Sequence, residues 1–158
     1  MLHTEEELDK SNHMGAKRAA KRKLCQELGI KEEQLNLDDF HFITRIHYKA
    51  LSDGLWGEHE VDYILFIQCK VDVDLNRNEC NDYKYVDKDL LKELIRMADD
   101  VDSNNQHTFA SETATIKQSG VTLTPWFRLI AKKFLFGWWD HLSNVKSIQD
   151  VQTIHRFL

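Results

Sequence analysis

Two hydrophobic periods alternate along the chain. From Met14 to Leu28, Ala16, Ala20, Leu24 and Leu28 recur at every fourth position, the spacing that lines one face of a helix. Ser11-Asn12 offers N-cap chemistry, and Gly29 stands where a helix commonly ends on a left-handed residue. Phe40 to Ala50 is rich in aromatic and β-branched residues and reads as a strand. Ser52-Asp53-Gly54 supplies turn chemistry. Glu58 to Val71 reads as a second strand, its apolar run Val61 to Ile67 interrupted by Asp62, and the two strands are expected to pair as a hairpin. Glu79 to Val86 is a weaker strand, and Asp87 caps a helix over Lys88 to Met97 with Leu91, Leu94 and Ile95 inward. Asp99 to Gly120 is polar and lacks sustained periodicity, so it is expected to be a mobile loop. Thr124-Pro125 starts a helix with a cap and a proline at its first position. That helix runs to about Leu142 and carries Trp126, Phe127, Phe134, Phe136, Trp138 and Trp139. Ser147 is read as the cap of a last short helix reaching Arg156. This order, without internal repeats, predicts an α+β or layered αβα domain occupying residues 1–158.

Composition narrows the function classes. The 158 residues are 42% hydrophobic and 30% charged, ordinary for one globular domain. No apolar run is long enough to cross a bilayer as a helix, and Met1-Leu2-His3-Thr4-Glu5-Glu6-Glu7 is no signal peptide. A net charge of −5 argues against a basic nucleic-acid footprint. Three cysteines, Cys25, Cys69 and Cys80, without CxxC spacing predict free thiols in a reduced, intracellular protein. A cytoplasmic location is expected, with a peroxisome as the alternative, although His155-Arg156-Phe157-Leu158 matches S-K-L poorly.

Candidate chemistry begins at Trp56-Gly57-Glu58-His59-Glu60-Val61-Asp62. Alternation on a strand puts Glu58, Glu60 and Asp62 on one face, roughly 7 Å apart. Carboxylates so close repel. A divalent cation resolves this, or one carboxyl stays protonated as an acid; the plainer alternative is a solvated face. His59 falls on the opposite face, which weakens a metal cluster of His47, His59 and Glu58. On the first helix, Lys17, Arg18, Lys21, Arg22 and Lys23 form a basic cluster that faces either an anion or solvent. Arg22, Leu24, Glu27, Gly29 and Ile30 resemble the end of a Nudix box, R-E-U-x-E-E-x-G-U, with Lys23 and Gln26 replacing two of its glutamates. Trp126 is either core or a π face for a cation. Tyr48 is either packing or a hydrogen-bond partner for a carboxylate.

Five segments together resemble the type I isopentenyl-diphosphate isomerases. They are Ala19-Ala20-x-Arg22-Lys23-Leu24-x-x-Glu27-Leu28-Gly29-Ile30, Arg45-Ile46-His47-Tyr48-Lys49-Ala50, Trp56-Gly57-Glu58-His59-Glu60-Val61-Asp62-Tyr63-Ile64-Leu65, Thr124-Pro125-Trp126-Phe127, and Phe134-Leu135-Phe136-x-Trp138-Trp139. They stand in the family's order and span nearly the whole chain. The resemblance implies a Nudix-like αβα sandwich with a mixed sheet. It also implies isomerisation of isopentenyl diphosphate to dimethylallyl diphosphate, one proton added and another removed through a tertiary carbocation. By resemblance, Glu60 is an acid/base group and a metal ligand, and Glu58 is a second ligand of that metal. Tyr48 tunes Glu60, Trp126 faces the carbocation, and Lys23 binds substrate. Glu27 helps hold Mg2+ on the diphosphate, while the other metal site takes Mg2+, Mn2+ or Zn2+. The expected partner is a small-molecule diphosphate, with no nucleic acid or membrane, and the expected state is a monomer.

One family motif has no counterpart. The catalytic cysteine of T-N-T-C-C-S-H-P and three histidine ligands of the metal find no match, and none of Cys25, Cys69 and Cys80 stands in that place. The chain is therefore read as starting just past that cysteine, without the family's first strands, and as having little or no isomerase activity alone. A non-catalytic diphosphate- or protein-binding module and a Nudix pyrophosphohydrolase are the competing functions.

Overall fold

The computed structural model describes residues 11–51, 57–104, 114–116 and 121–158. The chain forms two compact units, Met1–Ile46 with Asp62–Lys84 and Val145–Ile154, and His47–Val61 with Tyr85–Asn144 and His155–Leu158. Strands β1 (Phe40–Leu51), β2 (Gly57–Ile67) and β5 (Ile154–Phe157) form a sheet in the order β2-β1-β5. The expected hairpin partners are therefore neighbours.

In the first unit, α1 spans Met14–Leu28, the bounds its periodicity predicts. Ala20, Leu24, Cys25 and Leu28 pack on Ile30, Leu35 and Phe40, together with Ile67, Val71 and Val73. Its start differs from expectation. The side chain of its N-cap residue, His13, does not cap it; Ser11–His13 is instead a 3-10 turn in which Asn12 and His13 have φ of 47° and 58°. The His13 ring stacks on Phe42, with centroids 3.7 Å apart. Lys17, expected on the charged face, is buried.

The end of α1 is anchored more firmly. Gly29 is left-handed at φ 61°, and Asp74 N–H and Asn76 N–H donate to the carbonyls of Leu28 and Glu27, both at 3.0 Å. The Asn76 side-chain amide donates to Gln26 O at 2.9 Å. These bonds satisfy carbonyls that a helix end leaves orphaned. The same residue explains why Glu79 to Val86 is irregular rather than a strand. Glu79 N–H and Cys80 N–H both donate to Asn76 O, and Arg77 Nη1 donates to Asn81 O. A tight turn thus takes groups that a ladder would need.

Thr44 on β1 is almost fully buried, and its hydroxyl has no hydrogen-bond partner among the described residues. Burying an unpaired hydroxyl costs about 1–3 kcal/mol. Thr44→Val keeps the shape and removes the polar atom, so it is expected to stabilise the fold by about 1 kcal/mol. Urea denaturation checks this; a loss of stability would mean that the hydroxyl is satisfied.

In the second unit, α2 spans Lys88–Asn104. Asp87 caps it by accepting from Leu90 N–H at 2.8 Å, and Leu91, Leu94 and Ile95 are buried as expected. The helix continues beyond Met97 because Ala98 is buried and because acidic residues in the following polar run have partners. Asp99 pairs with Arg128 and Lys132, at 3.3 and 2.5 Å, and Asp100 pairs with Arg96. Of the expected mobile loop, Asp99 to Asn104 is helix and Ala114–Ile116 is strand β3, antiparallel to β4 (Val121–Leu123); the rest lies outside the described residues.

Helix α3 (Pro125–Ile130) starts at Thr124, whose hydroxyl accepts from Phe127 N–H at 3.4 Å. It continues through a π-helical turn, Ala131–Leu135, into α4 (Phe136–Trp139). Phe127, Leu135, Phe136 and Trp139 pack on Leu91, Ile95 and Ala131. The helix expected from Ser147 to Arg156 does not form. Leu142–Ile148 is a 3-10 segment, and Ile154–Phe157 is β5.

Candidate active site

Lys23 and Glu27 stand one turn apart on α1, and their side chains form an ion pair. The hydrogen bond from Glu27 is the main reason why the Lys23 ammonium is held above its ordinary pKa. The Glu27 backbone carbonyl is held by Asn76 N–H. Lys23 and Glu27 belong to the first unit; Tyr48, Glu60 and Trp126 belong to the second.

Tyr48 is buried on β1. Trp126, in the first turn of α3, is half-buried and stacks on it, with centroids 6.2 Å apart and planes 23° off parallel. Phe127 meets the same indole edge-on. The Thr124 cap and Pro125 fix where α3 begins, and so fix where this indole stands.

Glu60 is exposed on β2. Its neighbour His59 joins His47 across the strands, Nε2 to Nε2 at 2.8 Å. Alternation then turns Glu60 and Tyr48 to the other face of the two strands, the face on which Trp126 meets Tyr48. Glu58 lies in β2, but its side chain lies outside the described residues. Carboxylate oxygens such as those of Glu27 and Glu60 suit a hard divalent cation. Among the described residues, no group of three or more His, Cys, Asp or Glu side chains forms a ready metal site.

The histidine face holds a residue that the sequence reading missed. Arg156 Nη1 donates to His47 Nδ1 at 2.6 Å. A guanidinium cannot accept, so His47 Nδ1 is the acceptor and its Nε2–H donates to His59. Desolvation, then the charge of Arg156, then His59 hold the His47 pKa below 6.5. A depressed histidine contributes stability above pH 6.5, and that contribution is lost as pH falls through the folded value. In an NMR titration, His47 is expected to titrate below 6.5 and to move upward in Arg156→Ala. A midpoint above 6.5 in the unsubstituted chain would contradict the Arg156 contact.

Comparison with known proteins gives the class first. Residues 13–108 match the family model described as the NUDIX domain, and the chain belongs to that family. More particular relatives are isopentenyl-diphosphate delta-isomerases. Isomerase I of Clarkia breweri is 45% identical over 157 residues, covering 98% of this chain and 49% of that one. Isomerase 1 of Mus musculus is 43% identical over 150 residues, 95% of this chain and 58% of that one. An isomerase of Gibberella zeae is 49% identical over 130 residues, 82% and 43% respectively. The chain thus spans about half the length of these curated relatives. Among the described residues, no helix is long and apolar enough to cross a membrane.

Proposed function

We propose that this chain carries the diphosphate-handling residues and one of the two proton-transfer groups of an isopentenyl-diphosphate isomerase. The observation that carries the reading is Trp126 stacked on Tyr48, on the strand face to which Glu60 turns. An aromatic face stabilises a cation most strongly where water is scarce. The reaction adds a proton to one end of the double bond and removes one from the allylic carbon. Glu60 exchanges one of these protons at its carboxylate oxygen, and Tyr48 steadies that carboxyl by hydrogen bonding. Lys23, kept protonated, faces the diphosphate. Glu58 and Glu60 hold one divalent ion and Glu27 helps hold Mg2+ on the substrate; when bound, these ions neutralise diphosphate charge. The substrate is a small-molecule diphosphate, and the protein works as a cytoplasmic monomer.

This chain alone is proposed to be a poor catalyst. Glu60 is exposed, and a tertiary carbocation needs a water-free pocket. None of Cys25, Cys69 and Cys80 stands in the motif from which the family draws its second proton-transfer group. The test is proton NMR of isopentenyl diphosphate with Mg2+ and this chain. Saturable line broadening without dimethylallyl diphosphate is expected. Robust conversion would overturn the proposed inactivity, absence of binding would overturn the substrate assignment, and phosphate release would favour a pyrophosphohydrolase. Lys23 and Gln26, standing where a Nudix box has glutamates, weigh against the last.

A further inference from the structure

His47, His59 and Arg156 belong to one unit and take no part in the proton transfers proposed above. The two histidines stand on neighbouring strands, on the face turned away from Tyr48 and Glu60. Their Nε2 atoms are 2.8 Å apart, and their ring planes differ by 5°. His59 is exposed and His47 half-buried, so a small solute reaches the pair from solvent. Imidazole nitrogens suit late transition metals, whereas carboxylate oxygens suit Mg2+. The histidine pair and the Glu60 carboxylate therefore offer different donor chemistry on opposite faces of the same two strands.

We propose that His47 and His59 together bind one late divalent transition-metal ion, of the nickel, copper or zinc class, and that Arg156 holds the affinity down. Spacing is the first support. Metal–nitrogen bonds of about 2.0–2.1 Å that meet at about 90° set two nitrogens about 2.9 Å apart. The observed 2.8 Å fits that separation, and a tilt of each ring turns its lone pair onto the ion. The proton pattern is the second support. Arg156 Nη1 donates to His47 Nδ1 at 2.6 Å, so the His47 proton sits on Nε2 and points at His59. His59 Nε2 is then the acceptor, and the His59 proton is on Nδ1. His59 is thus already the tautomer that coordinates through Nε2. His47 is the opposite tautomer. To bind, it moves its proton from Nε2 to Nδ1, with no net release, and Arg156 withdraws because a guanidinium only donates. A ligating imidazole ordinarily donates its second N–H to an acceptor, and here a cation fills that place. Two imidazoles leave the remaining coordination positions to water. A bound ion ties β1 to β2 at the residues adjacent to Tyr48 and Glu60, so it stiffens the strands that present those side chains.

The test is calorimetry of nickel chloride with the whole chain, in excess Mg2+ and a non-coordinating buffer. Saturable one-to-one binding is expected, weakened at least about tenfold in His47→Ala and in His59→Ala. Arg156→Gln removes the opposing charge and supplies a carbonyl oxygen that accepts from Nδ1–H, so it should tighten binding about tenfold. That variant gains affinity, so a folding defect cannot imitate its result. Glu60→Gln should leave the nickel affinity unchanged. Nickel should raise the melting temperature of the unsubstituted chain but not that of His47→Ala. Nickel held by Cys25, Cys69 or Cys80 would survive both histidine variants and overturn the proposal. So would an unchanged or lower affinity in Arg156→Gln, or a loss in Glu60→Gln, which would move the ion to the carboxylate face. No diphosphate takes part, so the outcome is independent of the isomerase reading.

Discussion

Gly29→Ala is expected to cost at least about 3 kcal/mol of folding stability. Gly29 sits at φ 61°, where an L-residue with a Cβ loses about 1–2 kcal/mol. The larger part is steric. A Cβ at Gly29 would lie 1.8 Å from Asp74 O, 2.7 Å from Asp74 C and 3.2 Å from Asp74 Cβ. The first two are backbone atoms and cannot swing aside. To make room, the segment from Asp74 must leave the helix end, losing its bonds to Leu28 O and Glu27 O at about 1 kcal/mol each. Gly29→Asn separates the two causes. Asparagine tolerates the left-handed conformation better but carries the same Cβ, so it should recover only about 1 kcal/mol. Urea denaturation of the three chains measures both steps. An alanine variant within about 1 kcal/mol of the parent would mean that the close approach relaxes without breaking bonds. Since the Glu27 carbonyl is part of this junction, any Mg2+ affinity that Glu27 supplies should fall with stability.

The first helix was legible because both of its signals are local. A four-residue apolar period and a terminal glycine need no knowledge of the rest of the chain, and they give Met14–Leu28. The Lys23–Glu27 pair follows from the same spacing. The failures involve partners distant in sequence. Glu79 to Val86 has strand composition, but Asn76 draws its backbone into a turn. Ser147 has cap chemistry, but Ile154–Phe157 is drawn into the sheet beside β1. Asp99 looked like the start of a loop until Arg128 and Lys132 supplied its counter-charges. Likewise the His47–His59 contact was out of reach without the strand register, and Arg156 could not be placed beside it. Of the candidate site, alternation separated His59 from Glu60. No local pattern joins Tyr48 to Trp126; the family's motifs named both residues, and the fold stacks them.

Trp126→Ala is expected to weaken binding of a cationic analogue far more than binding of isopentenyl diphosphate. The analogue is a diphosphate whose reacting carbon is replaced by a tertiary ammonium nitrogen, which carries the charge of the proposed carbocation. Interactions that matter for rate are stronger in the transition state than in the ground state. A desolvated cation–π contact contributes about 2 kcal/mol, so losing the indole should weaken the analogue about 30-fold. The neutral alkene should lose only packing, about threefold or less. Trp126→Phe keeps a π face of lower electron density and should fall between. Because Trp126 also packs on Tyr48 and Phe127, alanine will lower stability as well, so each affinity must be measured by calorimetry well below the melting point. The ratio of the two losses is the decisive quantity, since a purely structural role for Trp126 weakens both ligands alike. A ratio near one would remove the indole from the proposed cation pocket and leave it as the hydrophobic cover of Tyr48. A ratio of about ten or more, preserved in part by phenylalanine, is the signature expected of an aromatic face that meets developing positive charge.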